Sequence, residues 1–77
     1  MALTALVTGA NRGIGLELCR QLAARGDRVI ATCRSVSNEL TGLGVRIEEG
    51  VDVTSDDSIA HLIRRLEGQP IDLLLNN

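Results

Sequence analysis

Apolar and polar positions alternate in blocks along the chain, and the blocks change period as they go. The segment ALTALVT, Ala2 to Thr8, is short, apolar and closed by Gly9, the pattern of a strand buried on both faces. Ile14, Leu18 and Leu22 then recur every four positions, flanked by Cys19 and Ala23, until Gly26. This period predicts a helix with those residues on its buried face and a glycine just past its end. RVIATC, Arg28 to Cys33, is unbroken and β-branched, a second buried strand. The following SVSNELTGLG is rich in turn residues, with room for one short helical turn. VRIEEGVDV, Val45 to Val53, alternates at its start like an outer strand. Thr54 or Ser55 then caps a helix with Asp56 and Asp57 in its first turn, an apolar stripe of Ile59, Leu62, Ile63 and Leu66, and a stop at Gly68 and Pro70. IDLLLNN, Ile71 to Asn77, reads as a fourth strand.

The order strand, helix, strand, loop, strand, helix, strand predicts an α/β fold. Right-handed crossovers make it a doubly wound parallel sheet with strand order 3-2-1-4. A ligand crevice is then expected where that order reverses, between strands one and four. Composition agrees: 44% of residues are hydrophobic and none is aromatic, so the core must come from Leu, Ile, Val and Ala. At 77 residues the chain is at most one small domain, and a chain near this size buries only about 60% of its unfolded surface.

A net charge of -2, with eight scattered arginines and no lysine, offers no basic field for nucleic acid. No apolar stretch approaches the roughly 18 residues of a membrane span, and MALTALVTGA lacks the basic start and the length of a secretion signal. A cytoplasmic protein without membrane attachment is expected. Cys19 and Cys33 lack CxxC or metal-ligand spacing, so they are read as reduced thiols, with no metal site.

The candidate chemistry lies in the glycines between the first strand and the first helix. Gly9 would make the sharp turn, Gly13 would let the backbone approach a phosphate, and Gly15 would let the helix pack closely. The free N–H groups around Ile14, reinforced by a helix dipole of about half a charge, would then face a pyrophosphate. Cys33 and Arg34 follow about 20 residues later, at the distance expected for a ribose contact.

These residues also carry a family resemblance. TGANRGIG, Thr8 to Gly15, resembles the TGxxxGxG signature of the short-chain dehydrogenase/reductase family. DVT at Asp52 to Thr54 resembles that family's segment beside the adenine, and Asn76 and Asn77 resemble the opening of its NNAG motif. ATCR and PIDLLLNN are similar to its carbonyl-reductase-like branch. The resemblance implies that residues 1–77 are the N-terminal part of a Rossmann-type NAD(P)-binding domain, truncated after the fourth strand. It also implies an oxidoreductase acting on small carbonyl or alcohol substrates, homo-oligomeric at full length. Asn11, Arg12 and Ile14 would join the glycines around the cofactor. Asp52 would hydrogen-bond the adenine amine with the Val53 backbone beside it, and Asn76 and Asn77 would line the crevice near the ribose. The family's catalytic Tyr and Lys have no counterpart, because the sequence contains neither residue. No catalytic residue is therefore assigned. The readings left open are the cofactor-binding part of an oxidoreductase, a stand-alone nucleotide-binding module, and an inert truncated product.

Which nicotinamide cofactor is expected follows from the end of the second strand. An NAD site usually places Asp or Glu there to accept from the ribose 2′-OH, whereas this sequence has Cys33. A thiol of pKa about 8.5 is mostly neutral at pH 7 and does not repel a phosphate. Arg34 can donate to a 2′-phosphate, with Arg12 reaching it from the turn. NADP(H) is therefore expected over NAD(H). His61 falls outside the apolar stripe and reads as solvated, and Glu48 and Glu49 alternate across a strand, so they cannot form an acid/base pair on one face.

Overall fold

The computed structural model describes residues 2–77. They form β1 (Thr4–Val7), α1 (Gly13–Ala24), β2 (Arg28–Cys33), α2 (Asn38–Thr41), β3 (Arg46–Glu49), α3 (Asp56–Arg65) and β4 (Leu73–Leu75). The four strands make one parallel sheet in the order β3-β2-β1-β4, as the pattern of blocks predicts. Leu6 stands opposite Ile30 on one side and Leu74 on the other, so the first strand is central. The Asp72 carboxylate accepts from the Thr4 amide at 2.8 Å, while the Asp72 amide donates to the Thr4 carbonyl at 2.9 Å. This reciprocal pair sets the register of β4 where β1 begins.

The core gathers Ala5 and Val7 of β1, Val29, Ala31 and Cys33 of β2, Cys19 and Leu22 of α1, and Leu40 of α2. Alanines at the sheet centre let the helix approach, since they add no side chain beyond Cβ. The buried face of α1 differs from the predicted one. Gly15, Cys19 and Leu22 face the sheet, with Leu16 and Ala23 packed beside them, whereas Ile14 is 72% exposed. Cys19, Leu22 and Ala23 stand where predicted, while Gly15 and Leu16 take the place of Ile14 at the start of the face. The cause is local: a Cβ on Gly15 would lie 2.2 Å from the Gly9 carbonyl oxygen, so only glycine lets this turn of helix sit on the loop beneath it. That contact sets the helix phase, and it turns Ile14 outward.

The α3 stripe is likewise narrower than its sequence suggests. Leu62 is buried, Ile59 and Leu66 are half-buried, and Ile63 is 63% exposed. Ile63 and Leu66 instead border an apolar groove of about 800 Å³ against Leu73 and Leu74 of β4. The helix is anchored on its other side by charge, where Glu48 pairs with both Arg46 and Arg65, and Arg46 Nη2 donates to the Arg65 carbonyl at 3.1 Å. Ser55 supplies the cap, its Oγ accepting from the Ser58 amide at 3.3 Å. Thr54 is engaged elsewhere, by Asp52. Among the described residues no helix is long and apolar enough to cross a membrane.

Candidate functional site

At the C-terminal edge of the sheet, the loops after β1, β2 and β3 enclose a cavity of about 530 Å³. Its floor is the glycine turn, with Gly9, Asn11, Arg12, Gly13 and Ile14. Thr32, Cys33 and Arg34 form the wall at the end of β2, Val51 and Val53 face them from the end of β3, and Asn77 closes the side next to β4. Eight of the eleven residues predicted for the site thus line one space.

The turn is held by bonds to both neighbouring strands. The Ala10 amide donates to the Thr32 carbonyl at 3.1 Å, and Asn77 Nδ2 donates to the Gly9 carbonyl at 3.2 Å. Thr8 is the clamp between them: its hydroxyl donates to Asn76 Oδ1 and accepts from the Asn77 amide, both at 3.0 Å. The three glycines answer different needs. Gly9 and Gly13 both have φ of +60°, where a side chain is strained. Gly9 is also crowded by Asn77, whereas no atom lies within 4 Å of the Cβ position of Gly13, which leaves its backbone open. Gly15 is required by the close approach to Gly9 described above.

The start of α1 has no side-chain cap and no acidic residue in its first turn. Its first amides therefore lack acceptors from the chain, and the positive end of the helix dipole is unanswered. An anionic group placed over Gly13 and Ile14 would satisfy both. The Cys33 thiol is pushed above its ordinary pKa, first by burial and then by Glu49 nearby, and stays neutral at pH 7. Arg34 Nη2 lies 3.2 Å from Asp52 Oδ1. The Asp52 carboxyl is held below the usual range mainly by the hydroxyl and amide of Thr54, with Arg34 adding to the effect.

Three predicted residues do not line the cavity. Gly15 lies beneath the turn, Asn76 spends its side chain on Thr8, and Asp52 stands behind the rim, bonded to Thr54 and Arg34. The sequence reading missed Thr8, Thr32 and Val51. The signal for the first two was a polar residue in an otherwise apolar strand; Val51 follows Gly50, whose φ of +76° turns the chain back toward the cavity. His61 is exposed and borders a separate groove with Arg64 and Arg65. Glu48 serves its two arginines, and Glu49 accepts from the Val36 amide at 3.4 Å, so neither faces the cavity as a free carboxylate.

Comparison with known proteins agrees with this geometry. The model of the short chain dehydrogenase family matches residues 3–77. The chain is 43% identical over 70 residues to the 1-hydroxy-2-glutathionyl-2-methyl-3-butene dehydrogenase of Rhodococcus sp. (strain AD45), covering 91% of this chain and 31% of that protein. It is 38% identical over 86 residues to the (+)-neomenthol dehydrogenase of Arabidopsis thaliana, covering 95% and 29%. A Burkholderia multivorans structure, described as a short-chain dehydrogenase/reductase with bound NADP, superposes with a TM-score of 0.90 at 32% identity. It covers all of this chain and 36% of that one. The chain thus spans about a third of the length of these relatives. With the glycine turn, the 3-2-1-4 sheet and this match along nearly its whole length, the chain belongs to the short-chain dehydrogenase family.

Proposed function

We propose that these residues form the NADP(H)-binding part of a short-chain oxidoreductase acting on carbonyl or hydroxyl substrates. The observation that carries the cofactor choice is the end of β2, where a neutral Cys33 and the exposed Arg34 stand at the cavity wall in place of a carboxylate. In this reading the amides around Gly13 and Ile14 hold the pyrophosphate. Arg34 donates to the 2′-phosphate with Arg12 nearby, and Thr8, Asn76 and Asn77 keep the turn in shape. Asp52 and the Val53 backbone lie toward the adenine. The nicotinamide, when bound, supplies or accepts the hydride. The proton transfer belongs to residues outside this sequence, which has neither Tyr nor Lys. Residues 1–77 are thus read as the N-terminal part of the cofactor domain.

The whole protein is read as a homo-oligomer. That reading rests on the family resemblance alone.

Titration with NADPH and NADH tests the cofactor choice. A charged hydrogen bond of about 1.5–3 kcal/mol corresponds to roughly ten- to a hundredfold in affinity. Arg34→Ala should weaken NADPH binding by that factor and leave NADH unchanged. Tighter binding of NADH by the wild type, or an Arg34→Ala variant with unaltered NADPH affinity, overturns the choice.

A further inference from the structure

We infer that Asp52 is a competing counter-ion for Arg34, holding the guanidinium when no 2′-phosphate is bound and so reducing the phosphate preference that Arg34 creates. The inference rests on the reading of Arg34 as the phosphate partner and names the residue that tunes it.

The two side chains meet at 3.2 Å across the ends of β2 and β3, but they are held very differently. Asp52 Oδ1 accepts from the Thr54 amide at 2.9 Å and the Thr54 hydroxyl at 2.6 Å, and the Asp52 amide donates to Ser58 Oγ at 2.8 Å. The carboxylate is therefore fixed whether or not Arg34 is present. Arg34 has only Asp52 as a side-chain partner among the described residues, and its side chain is 71% exposed. It can rotate away without repacking anything. The backbone beneath both is stitched, with the Gly50 amide donating to the Arg34 carbonyl at 3.2 Å and the Val51 amide to the Cys33 carbonyl at 2.9 Å. Movement is confined to the arginine side chain.

A phosphate ester carries up to two charges and three acceptor oxygens, so it takes a guanidinium from a single carboxylate oxygen. Asp52 loses one donor in the exchange and keeps both from Thr54, so no unsatisfied charge is left behind. The cost is the ion pair. Exposed pairs of this kind are worth about 1.4- to 5-fold in an equilibrium. Asp52 thus lowers affinity for a 2′-phosphorylated nucleotide by about that factor, with no matching effect on one that lacks the phosphate.

Calorimetric titration with adenosine 2′,5′-bisphosphate and with 5′-AMP tests this on the wild type, Asp52→Asn, Arg34→Ala and the double variant. The Asp52→Asn change keeps an Oδ1 acceptor for Thr54 while removing the charge. The expected result is a rise of about 1.4- to fivefold in the ratio of bisphosphate to 5′-AMP affinity in Asp52→Asn, a ratio in which any effect on the shared adenine cancels, and loss of that rise when Arg34 is absent. A gain that persists without Arg34 means simple removal of a negative charge, and a selective loss means that Asp52 positions Arg34; either overturns the inference. A wild type that does not prefer the bisphosphate over 5′-AMP overturns the phosphate reading itself. If Asp52→Asn does not fold, the carboxyl 13C resonance of Asp52 in the wild type decides: it should shift further with the bisphosphate than with 5′-AMP, and equal shifts, or none, sink the exchange.

Discussion

The two long helices, α1 and α3, flank the same sheet and solve opposite problems. Every local signal favours α3: the Ser55 cap, Asp56 and Asp57 at its start, Arg64 and Arg65 in its last turn. Yet Leu62 is its one buried residue. In α1 these signals are missing, with no side-chain cap, no acid in the first turn and no base in the last. Its helix is instead dictated by packing, with Gly15, Cys19 and Leu22 buried against β1 and β2. A helix that answers its own dipole has nothing left to offer at its N-terminus, whereas α1 leaves its first amides open at the cavity. The helix with the weaker local signals is the one that carries the candidate site, and packing supplies the stability that its ends do not.

The sharpest way to break this comparison is at Gly15. In Gly15→Ala the new methyl would meet the Gly9 carbonyl at 2.2 Å, a backbone atom that cannot swing aside. Overpacking against rigid neighbours costs about 1–3 kcal/mol or more, and this variant should lie at or above the top of that range. Urea unfolding measures it. A loss below about 1 kcal/mol would mean that α1 docks without that contact.

A second comparison uses two leucines of equal burial, since Leu22 in α1 and Leu62 in α3 are each 7% exposed. Leu22 lies in the core cluster and Leu62 outside it. Leu22→Ala should cost the upper part of the about 2–5 kcal/mol typical of such truncations, Leu62→Ala the lower part, and Ile63→Ala less than about 0.5 kcal/mol. Equal costs at Leu22 and Leu62 would show that α3 is packed as firmly as α1. A large cost at Ile63 would show that its exposed face is covered in solution.

The same contrast explains what was legible in the sequence. The sheet order and the cavity-lining residues of the turn followed from strands and glycines, whose conformational demands are local. The first strand came out shorter than its apolar run, Thr4–Val7 against Ala2 to Thr8, because Gly9, with φ of +60°, turns the chain out of the ladder while β2 runs on to Cys33. Only the start of the α1 face differs from expectation, at Ile14, because Ile14, Leu18 and Leu22 obey the helical period as well as Gly15, Cys19 and Leu22 do. Counting apolar residues favours Ile14 over a glycine, while a backbone contact between Gly15 and Gly9 decides the matter in three dimensions. Asp52 was placed beside the adenine by resemblance, and nothing in its neighbours announced the bond to Arg34, a residue 18 positions away.

The smallest effect separates the two helices by pH. The buried face of α1 contains an ionisable group, Cys19, whose pKa is raised to about 11 by burial and then by the nearby Cys33. The titratable residues of α3, namely Asp56, Asp57, His61, Arg64 and Arg65, are all exposed. A thiol raised in the folded state and ordinary in the unfolded one, at about 8.5, leaves stability untouched below that value. Above it the unfolded chain loses protons that the folded chain retains, so stability falls until about pH 11, where the folded thiol also ionises. The sequence has no Tyr and no Lys, so the two thiols are its only side chains titrating across that window. Stability should therefore fall by about 2–3 kcal/mol between roughly pH 8 and 10.5, followed as Tm by circular dichroism. Cys19→Ala should flatten most of the slope, with Cys33 supplying the rest. A slope that survives the loss of both thiols would place the alkaline sensitivity outside the α1 face.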